Sequence, residues 1–552
     1  MNRPGPADTH PAARMYAAEY RAGQMDRREF LTRATSLGLS VGAACAMAGL
    51  TRPAVAQSES APGGTLRIQM DVLEQKDPRV WDFSQLANVC RGHLEYLVQY
   101  NTDGSITPML LDSWEVSEDA TEYLLRIRGG VTWTNGDAFT AEDVARNFRR
   151  WCDGTVTGNS MATRMGSLVD PATRKARPDA ITVVDDMTVR LSLATPDISL
   201  IAGVSDYPAA VMHGSYDGGD PTEAVGTGPF RITEYVVGDR AVLERTTDHT
   251  WWGEDVFGPV QLDRIEFLDF GTDPATWLDA FRNDEIDMLY ESVGTFIEVF
   301  DDLGLVKSET LTAATITIRG NQNAEVEGQR IYADRNVRRA LQLACDNAIL
   351  LELGYSDRGE VAANHHVSPI HPEYADIGPS EVNTDEAFRL MDEAGLADFE
   401  HELISIDDDW RRNTADAVAA QLRDAGLQVR RRLLPGSTYW SGWTDFPFST
   451  TNWNQRPLGV QVYSLAYRSG EAWNETGFAN DEFDRLLADS LAIADADERR
   501  ALMERMETLL RDEGVVIQPY WRALYRHYTD RVVGAEMHPT HEMHLYRYAL
   551  RS

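Results

Sequence analysis

The sequence is poor in cysteine, in positive charge and in long apolar runs, and each shortage excludes something. Its four cysteines, at 45, 90, 152 and 345 of 552 residues, make neither a metal-ligand spacing nor a disulfide framework. The 52 Lys and Arg are outweighed by 87 Asp and Glu, for a net charge of −35. A surface this negative repels nucleic acid and anionic membranes, so neither is expected as the main partner. The most apolar stretch, Leu37–Leu50, is rich in Gly and Ala and too short to span a bilayer. There is no Walker-type phosphate loop, no G-x-S-x-G elbow and no HExxH. What is present is ordinary globular material, 43% hydrophobic and 25% charged, enough for two to four domains.

Residues 1–56 read as an export signal rather than as fold. Asp26-Arg27-Arg28-Glu29-Phe30-Leu31 is followed by the mild apolar run and then by Ala54-Val55-Ala56, a small-x-small cleavage pattern. Paired arginines before Phe-Leu resemble the twin-arginine signal, which carries proteins already folded. Cleavage after Ala56 removes seven basic and four acidic residues and leaves 57–552 with a charge near −38. An exported protein that folds first has no need of disulfides.

Along the remaining chain, Gly63-Gly64-Thr65-Leu66-Arg67-Ile68 reads as a first strand. Thr140, with Asp143 three residues on, is a cap for a helix over 141–151. Alternation of Val189, Leu191 and Leu193 behind Asp185-Asp186 makes 181–193 a hairpin. From about 312 the texture changes to helix–Gly–strand units: helices over 385–394 and 414–425 stop at Gly395 and Gly426, and a strand follows from Leu427. Helices are expected over 483–491 and 497–511, with a β-like stretch at 515–520.

Candidates for chemistry are few. Gly226-Thr227-Gly228-Pro229-Phe230 reads as a turn before a strand, since Pro229 removes an amide that a phosphate loop needs. His365, His366 and His371 are weighed as metal ligands and read as an exposed loop, and Asp407-Asp408-Asp409 as a solvated turn; no metal and no cofactor are expected. The unusual feature is the aromatic and amide density of 439–474. Its Tyr439, Trp440, Trp443, Trp453 and Tyr463, with Asp445, Asn454 and Arg456 between them, have the composition of a ligand wall: aromatic faces with a few polar groups. The segment 445–460, with two prolines, is expected to be irregular and the least core-like.

These residues carry a resemblance. His93-Leu94-Glu95-Tyr96-Leu97-Val98-Gln99-Tyr100-Asn101, Pro108 to Trp114, and Arg128-Gly129-Gly130-Val131-Thr132-Trp133-Thr134-Asn135-Gly136 with Phe139 to Val144 resemble, in order, the segments of the extracytoplasmic solute-binding proteins of peptide/nickel-type ABC importers, family 5. Gly226 to Phe230, Trp251-Trp252, Glu285-Ile286-Asp287, Val337 to Leu341, Trp473-Asn474 and Asn480 to Leu487 continue the pattern. The resemblance implies an α/β, two-lobed periplasmic-binding-protein fold (type II, large peptide-binding class) with an extra subdomain in lobe 1. With the crossings placed near 310 and 520 by the change of texture, lobe 1 is expected at 57–310 plus 520–552, its subdomain at about 80–185, and lobe 2 at 311–519. The resemblance further implies a monomeric periplasmic receptor, not an enzyme, that encloses a small solute or short peptide and delivers it to a membrane permease and its ATPase.

The chain departs from the peptide-binding members where an aspartate of a W-x-x-D-Y-x-D-P segment holds the ligand ammonium. Here Gly442-Trp443-Thr444-Asp445-Phe446-Pro447 begins alike, but Thr450-Thr451-Asn452-Trp453-Asn454-Gln455-Arg456-Pro457 follows. Asp445 stands as an ammonium partner; alternatively Arg456 is a fork for a carboxylate, with Trp453 as wall and Asn454 as amide contact. The alternatives carried with this reading are a receptor for a metal chelate, haem or opine, a ligand-presenting subunit of a sensor, and, in a different class, a secreted hydrolase.

Overall fold

A computed structural model describes residues 10–50, 62–493 and 495–551. Its backbone is one large mixed sheet of 11 strands with smaller sheets and helices around it. Two long antiparallel strands form the middle, Val306–Gly320 and Tyr520–Tyr528, paired from Val306↔Tyr528 to Thr315↔Trp521 with a break in register after Leu311. On one flank lie Met288–Leu289, Thr65–Gln69, Arg264–Leu268, Arg240–Arg245 and Phe230–Val236; on the other lie Phe448–Trp453, Glu400–Ile406 and Gln428–Leu434. The chain therefore passes from one half to the other along Val306–Gly320 and returns along Tyr520–Tyr528. These are the two lobes of a two-lobed α/β fold.

Local chemistry explains the elements that position the site. The parallel strands Glu400–Ile406 and Gln428–Leu434 are joined by the helix Asp409–Asp424, the crossover that parallel pairing requires. That helix begins five residues before the expected 414, because Asp408 accepts a hydrogen bond from the Arg411 amide (3.2 Å) and caps it. It ends at Gly426, whose φ of +86° is the left-handed conformation that suits glycine. In the first half, Leu111–Val116, Glu122–Ile127, Thr188–Ser192 and Ile181–Asp185 make a separate four-stranded antiparallel sheet. The helix Ala141–Trp151 covers it, with the Asp143 carboxylate accepting from the Thr140 amide (3.0 Å) and Val144, Phe148 and Trp151 buried.

Two expectations are corrected here. The segment 445–460 is not irregular: Phe448–Trp453 is a buried strand paired along Thr315–Gly320, and Gly459–Ala466 is a buried helix. The prolines that suggested a loop, Pro447 and Pro457, stand just outside these elements, where they cost no ladder hydrogen bond, and the Thr450-Thr451 pair is β-branched. The leader, read as lying outside the fold, forms three helices, Pro11–Arg21, Arg27–Ser36 and Val41–Ala48, around a core of Tyr16, Phe30, Leu31 and several alanines. It docks on the body: Thr32 Oγ1 donates to Gly104 O (2.7 Å), Ile106 N to Thr35 Oγ1 (2.8 Å), Trp114 Nε1 to Ser36 O (3.1 Å) and Arg33 to Pro372 O (3.1 Å). Ala54-Val55-Ala56 lies outside the described residues.

Candidate functional site

Between the two flanks of the sheet is a cavity of about 720 Å³, within the range of small-molecule sites. One wall is built from the segment that follows strand Thr65–Gln69, chiefly Asp71 to Lys76 and Asp82 to Leu86, with Tyr207, Tyr290 and Glu291. The opposite wall comes from Arg411, Trp440, Trp443, Asn452 to Asn454, Arg456 and Trp473. The walls touch across the cavity. The rings of Phe83 and Trp440 lie 4.7 Å apart, Asn454 Nδ2 reaches Ser84 Oγ at 3.4 Å, and Arg456 Nε donates to Asp206 at 2.7 Å.

The aromatic wall is fixed from behind. Trp453 Nε1 donates to Glu475 Oε1 (2.8 Å), while Glu475 Oε2 accepts from Thr451 Oγ1 (2.6 Å) and from Arg319 Nε (2.9 Å), a guanidinium buried in the long central strand. A tryptophan held by a fully satisfied carboxylate presents its face without rotamer loss on binding.

Five of the eight residues singled out in the sequence line this cavity: Trp440, Trp443, Trp453, Asn454 and Arg456. Three do not, and are corrected. Tyr439 is fully buried against Ile404 and Ile406, with its hydroxyl donating to Thr450 O. Tyr463 is fully buried and donates to His365 O (2.8 Å). Asp445 is exposed and away from the cavity, so it is no ammonium partner there. Arg456 is corrected in role: its Nε is paired with Asp206 and its Nη1 donates to the carbonyls of Asn454 (2.9 Å) and Gln455 (3.2 Å), so the fork is already engaged. Arg164 holds the same Asp206 from the other side, and the guanidinium carbons of Arg164 and Arg456 stand 5.0 and 5.7 Å from the Trp473 ring. Burial pushes the Asp206 carboxyl up, but the two arginines outweigh it and hold it below the usual range.

The resemblance read from the segments around residues 93–144 meets the same result from whole-chain comparison. The profile of the bacterial extracellular solute-binding proteins, family 5 (middle region), matches residues 105–475. The chain belongs to that family. It is 23% identical over 542 residues to the dipeptide-binding protein DppE of Bacillus subtilis, covering 91% of this chain and 96% of that one. It is also 23% identical over 480 residues to the periplasmic oligopeptide-binding protein OppA of Salmonella typhimurium, covering 81% of this chain and 85% of that one. Among solved structures, the murein tripeptide binding protein MppA of Escherichia coli superposes with a TM-score of 0.79 at 18% identity, over 89% of this chain and 99% of that one. The protein is thus an extracellular solute-binding protein of that family.

In this solute-binding protein the motifs that carry the resemblance are structural. Glu95, buried, accepts from Trp251 Nε1 (3.0 Å), Trp252 Nε1 (2.6 Å) and Thr227 Oγ1 (2.7 Å), tying three of the quoted segments together. Gly226 passes so close to His93 that an added Cβ would lie 2.1 Å from the His93 carbonyl oxygen, which is why the glycine turn is needed. The histidines are not an exposed loop: His365, His366 and His371 are buried, and burial lowers them to about 3, about 3 and about 4, so all are neutral at pH 7. His366 Nδ1 bonds Tyr467 OH (2.8 Å), and His371 uses Nδ1 and Nε2 on Ser368 N and Arg456 O. They line no part of the cavity. Asp407-Asp408-Asp409 is likewise a helix start rather than a free turn, with Asp408 capping and Asp409 Oδ2 accepting from Thr295 N (3.1 Å).

Sequence reasoning missed the whole first wall. Glu291 binds Arg522 and lies 3.4 Å from His541; burial pushes its carboxyl up, but the Arg522 guanidinium, with the hydrogen bond to His541, outweighs burial and holds it at about 2. Nothing local marks such residues among 87 acids; a single segment dense in tryptophan was visible, whereas a wall gathered from several separate segments was not.

Proposed function

We propose that the protein is a periplasmic receptor that captures a small solute, a short peptide or modified amino-acid-like compound, between its two lobes and hands it to a membrane permease driven by its ATPase. The observation that carries this reading is the 720 Å³ cavity between walls from opposite flanks of the sheet. A ligand there touches both lobes and so favours the closed arrangement, which a ligand on one lobe would not. The lobes are taken as 57–310 with 520–552 and 311–519, with a subdomain over about 80–185. The pairing of Val306–Gly320 with Tyr520–Tyr528 at the two crossings supports those bounds. Trp440, Trp443, Trp453 and Asn454 are assigned to the ligand wall. We take the receptor to act as a monomer without turnover. Export is assigned to the paired Arg27 and Arg28, at the start of the helix Arg27–Ser36 capped by Asp26.

His365, His366 and His371, which the metal-chelate alternative would have used, lie outside the cavity and so lend it no support. The position of Asp445 outside the cavity favours a ligand held differently from one anchored by an aspartate of that segment. Mass spectrometry of solute released from the purified protein tests the proposal: one small solute at near-stoichiometric amount is expected, lost in Trp453→Ala. A released solute retained equally by Trp453→Ala would place the site elsewhere.

A further inference from the structure

The charges that line the cavity do not balance one another. Every cation there is paired: Lys76 with Asp82 at 2.7 Å, Arg456 with Asp206 at 2.7 Å, Arg411 with Asp408, and Arg522 with Glu291. Two of the carboxylates lining the first wall are occupied as well. Glu291 is held by Arg522 and His541, and Asp269 accepts from the amides of Val72 and Gly271, both at 2.9 Å. Glu74 is exposed. Asp71 is left. It stands two residues past strand Thr65–Gln69, partly accessible to the cavity and otherwise enclosed, and among the described residues its carboxylate has no hydrogen bond and no ion pair.

We infer that Asp71 is the anchor for a cationic amine on the ligand, so that the receptor selects solutes bearing an ammonium group and holds that group from the first wall. This rests on the cavity being the solute site. The surroundings fit such a guest. An enclosed carboxylate without a partner is costly, and an ammonium supplies the missing charge and hydrogen-bond donors together. Tryptophan faces on the opposite wall attract cations as well. A free carboxylate on the ligand would instead meet arginines that already hold acids. Burial and the neighbouring Asp269 push the Asp71 carboxyl up to about 7, opposed by Arg411 across the cavity; Asp408 adds to the rise, and Tyr290 also faces the group. An arriving ammonium reverses that rise.

Isothermal titration of the full chain with four probes tests the inference: trialanine with a free amino terminus, its N-acetyl form, spermidine and succinate. Wild type is expected to bind trialanine or spermidine and neither of the other two. Asp71→Asn should weaken the bound probe by roughly 100-fold, the scale of removing one partner of a buried charge pair. Asp71→Glu, which keeps the charge, should retain part of the affinity and guards against a failure of Asp71→Asn to fold. Three results would overturn the inference: no binding of either cationic probe, equal binding by Asp71→Asn, or binding of N-acetyl-trialanine or succinate as tight as that of the cations. If a neutral or anionic probe binds and Trp453→Ala abolishes it, the cavity stands as the solute site and only the ammonium anchor falls.

Discussion

Two carboxylates of the first half, Asp206 and Asp71, stand beside the same cavity in opposite states. Asp206 is gripped by Arg164 and Arg456 and held in its charged form. Asp71 has no partner, and its enclosure favours the neutral form. A satisfied carboxylate contributes to structure, here by joining the two walls; an unsatisfied one is costly to the empty protein and is available to a ligand. The difference separates what holds the cleft together from what reads its contents, and residue type alone cannot make that separation.

The largest effect expected from this comparison is on stability. Asp206→Asn leaves Arg164 and Arg456 buried without their counter-charge, and should destabilise the protein by about 3–5 kcal/mol in a denaturant titration. Asp71→Asn removes an unpaired charge and should leave the melting temperature unchanged or raised. Equal losses from the two substitutions would erase the distinction.

The next effect is on pH. Asp71 has a folded-state value of about 7 against an ordinary 3.8, so the folded protein holds this proton more tightly than the unfolded chain. Its contribution to the stability of the empty protein is complete below the ordinary carboxylate range and is lost as pH rises through about 7. Binding of an ammonium requires the ionised form, so affinity should increase over the same interval and then level off. Calorimetry at several pH values checks both slopes, and a flat affinity in wild type would contradict the assignment.

The smallest effects belong to residues that the sequence singled out and the fold placed elsewhere. Tyr463→Phe removes one buried hydrogen bond to His365 O and should cost about 1 kcal/mol of stability. Asp445→Ala, on an exposed side chain, should fall within about 0.5 kcal/mol. Neither should change ligand affinity, and a clear loss of affinity in either would reopen the second wall.

Much of the fold was legible because its signals are local. The capped helix at 141–151, the hairpin at 181–193 and the glycine-stopped helices before 395 and 426 depend on a few neighbouring residues, and each appears close to its expected bounds apart from the earlier start of the last at Asp409. The site was legible as a segment but not residue by residue. Tyr439 and Trp440 are neighbours with the same kind of side chain, yet one packs under the sheet and the other faces Phe83 across the cavity. Only the direction in which the short helix Gly436–Ser441 presents its side chains decides between them. Arg456 was identified as a useful cation, but its partner Asp206 lies 250 positions away in the chain. Asp71 gave no local signal, since what distinguishes it is a missing partner in three dimensions. The packing of the leader on the body gave no local signal, because an Ala-rich stretch meets the demands of an export signal and of a packed helix equally well.

The most direct test of the account is the structure of the protein loaded with the cationic solute it binds. The account predicts the ligand nitrogen about 3 Å from an Asp71 carboxylate oxygen, with the rest of the solute against Trp440, Trp443 and Trp453 and with Arg456 still on Asp206. A ligand carboxylate seated on Arg456 in place of Asp206, or an ammonium held by any group other than Asp71, would contradict it.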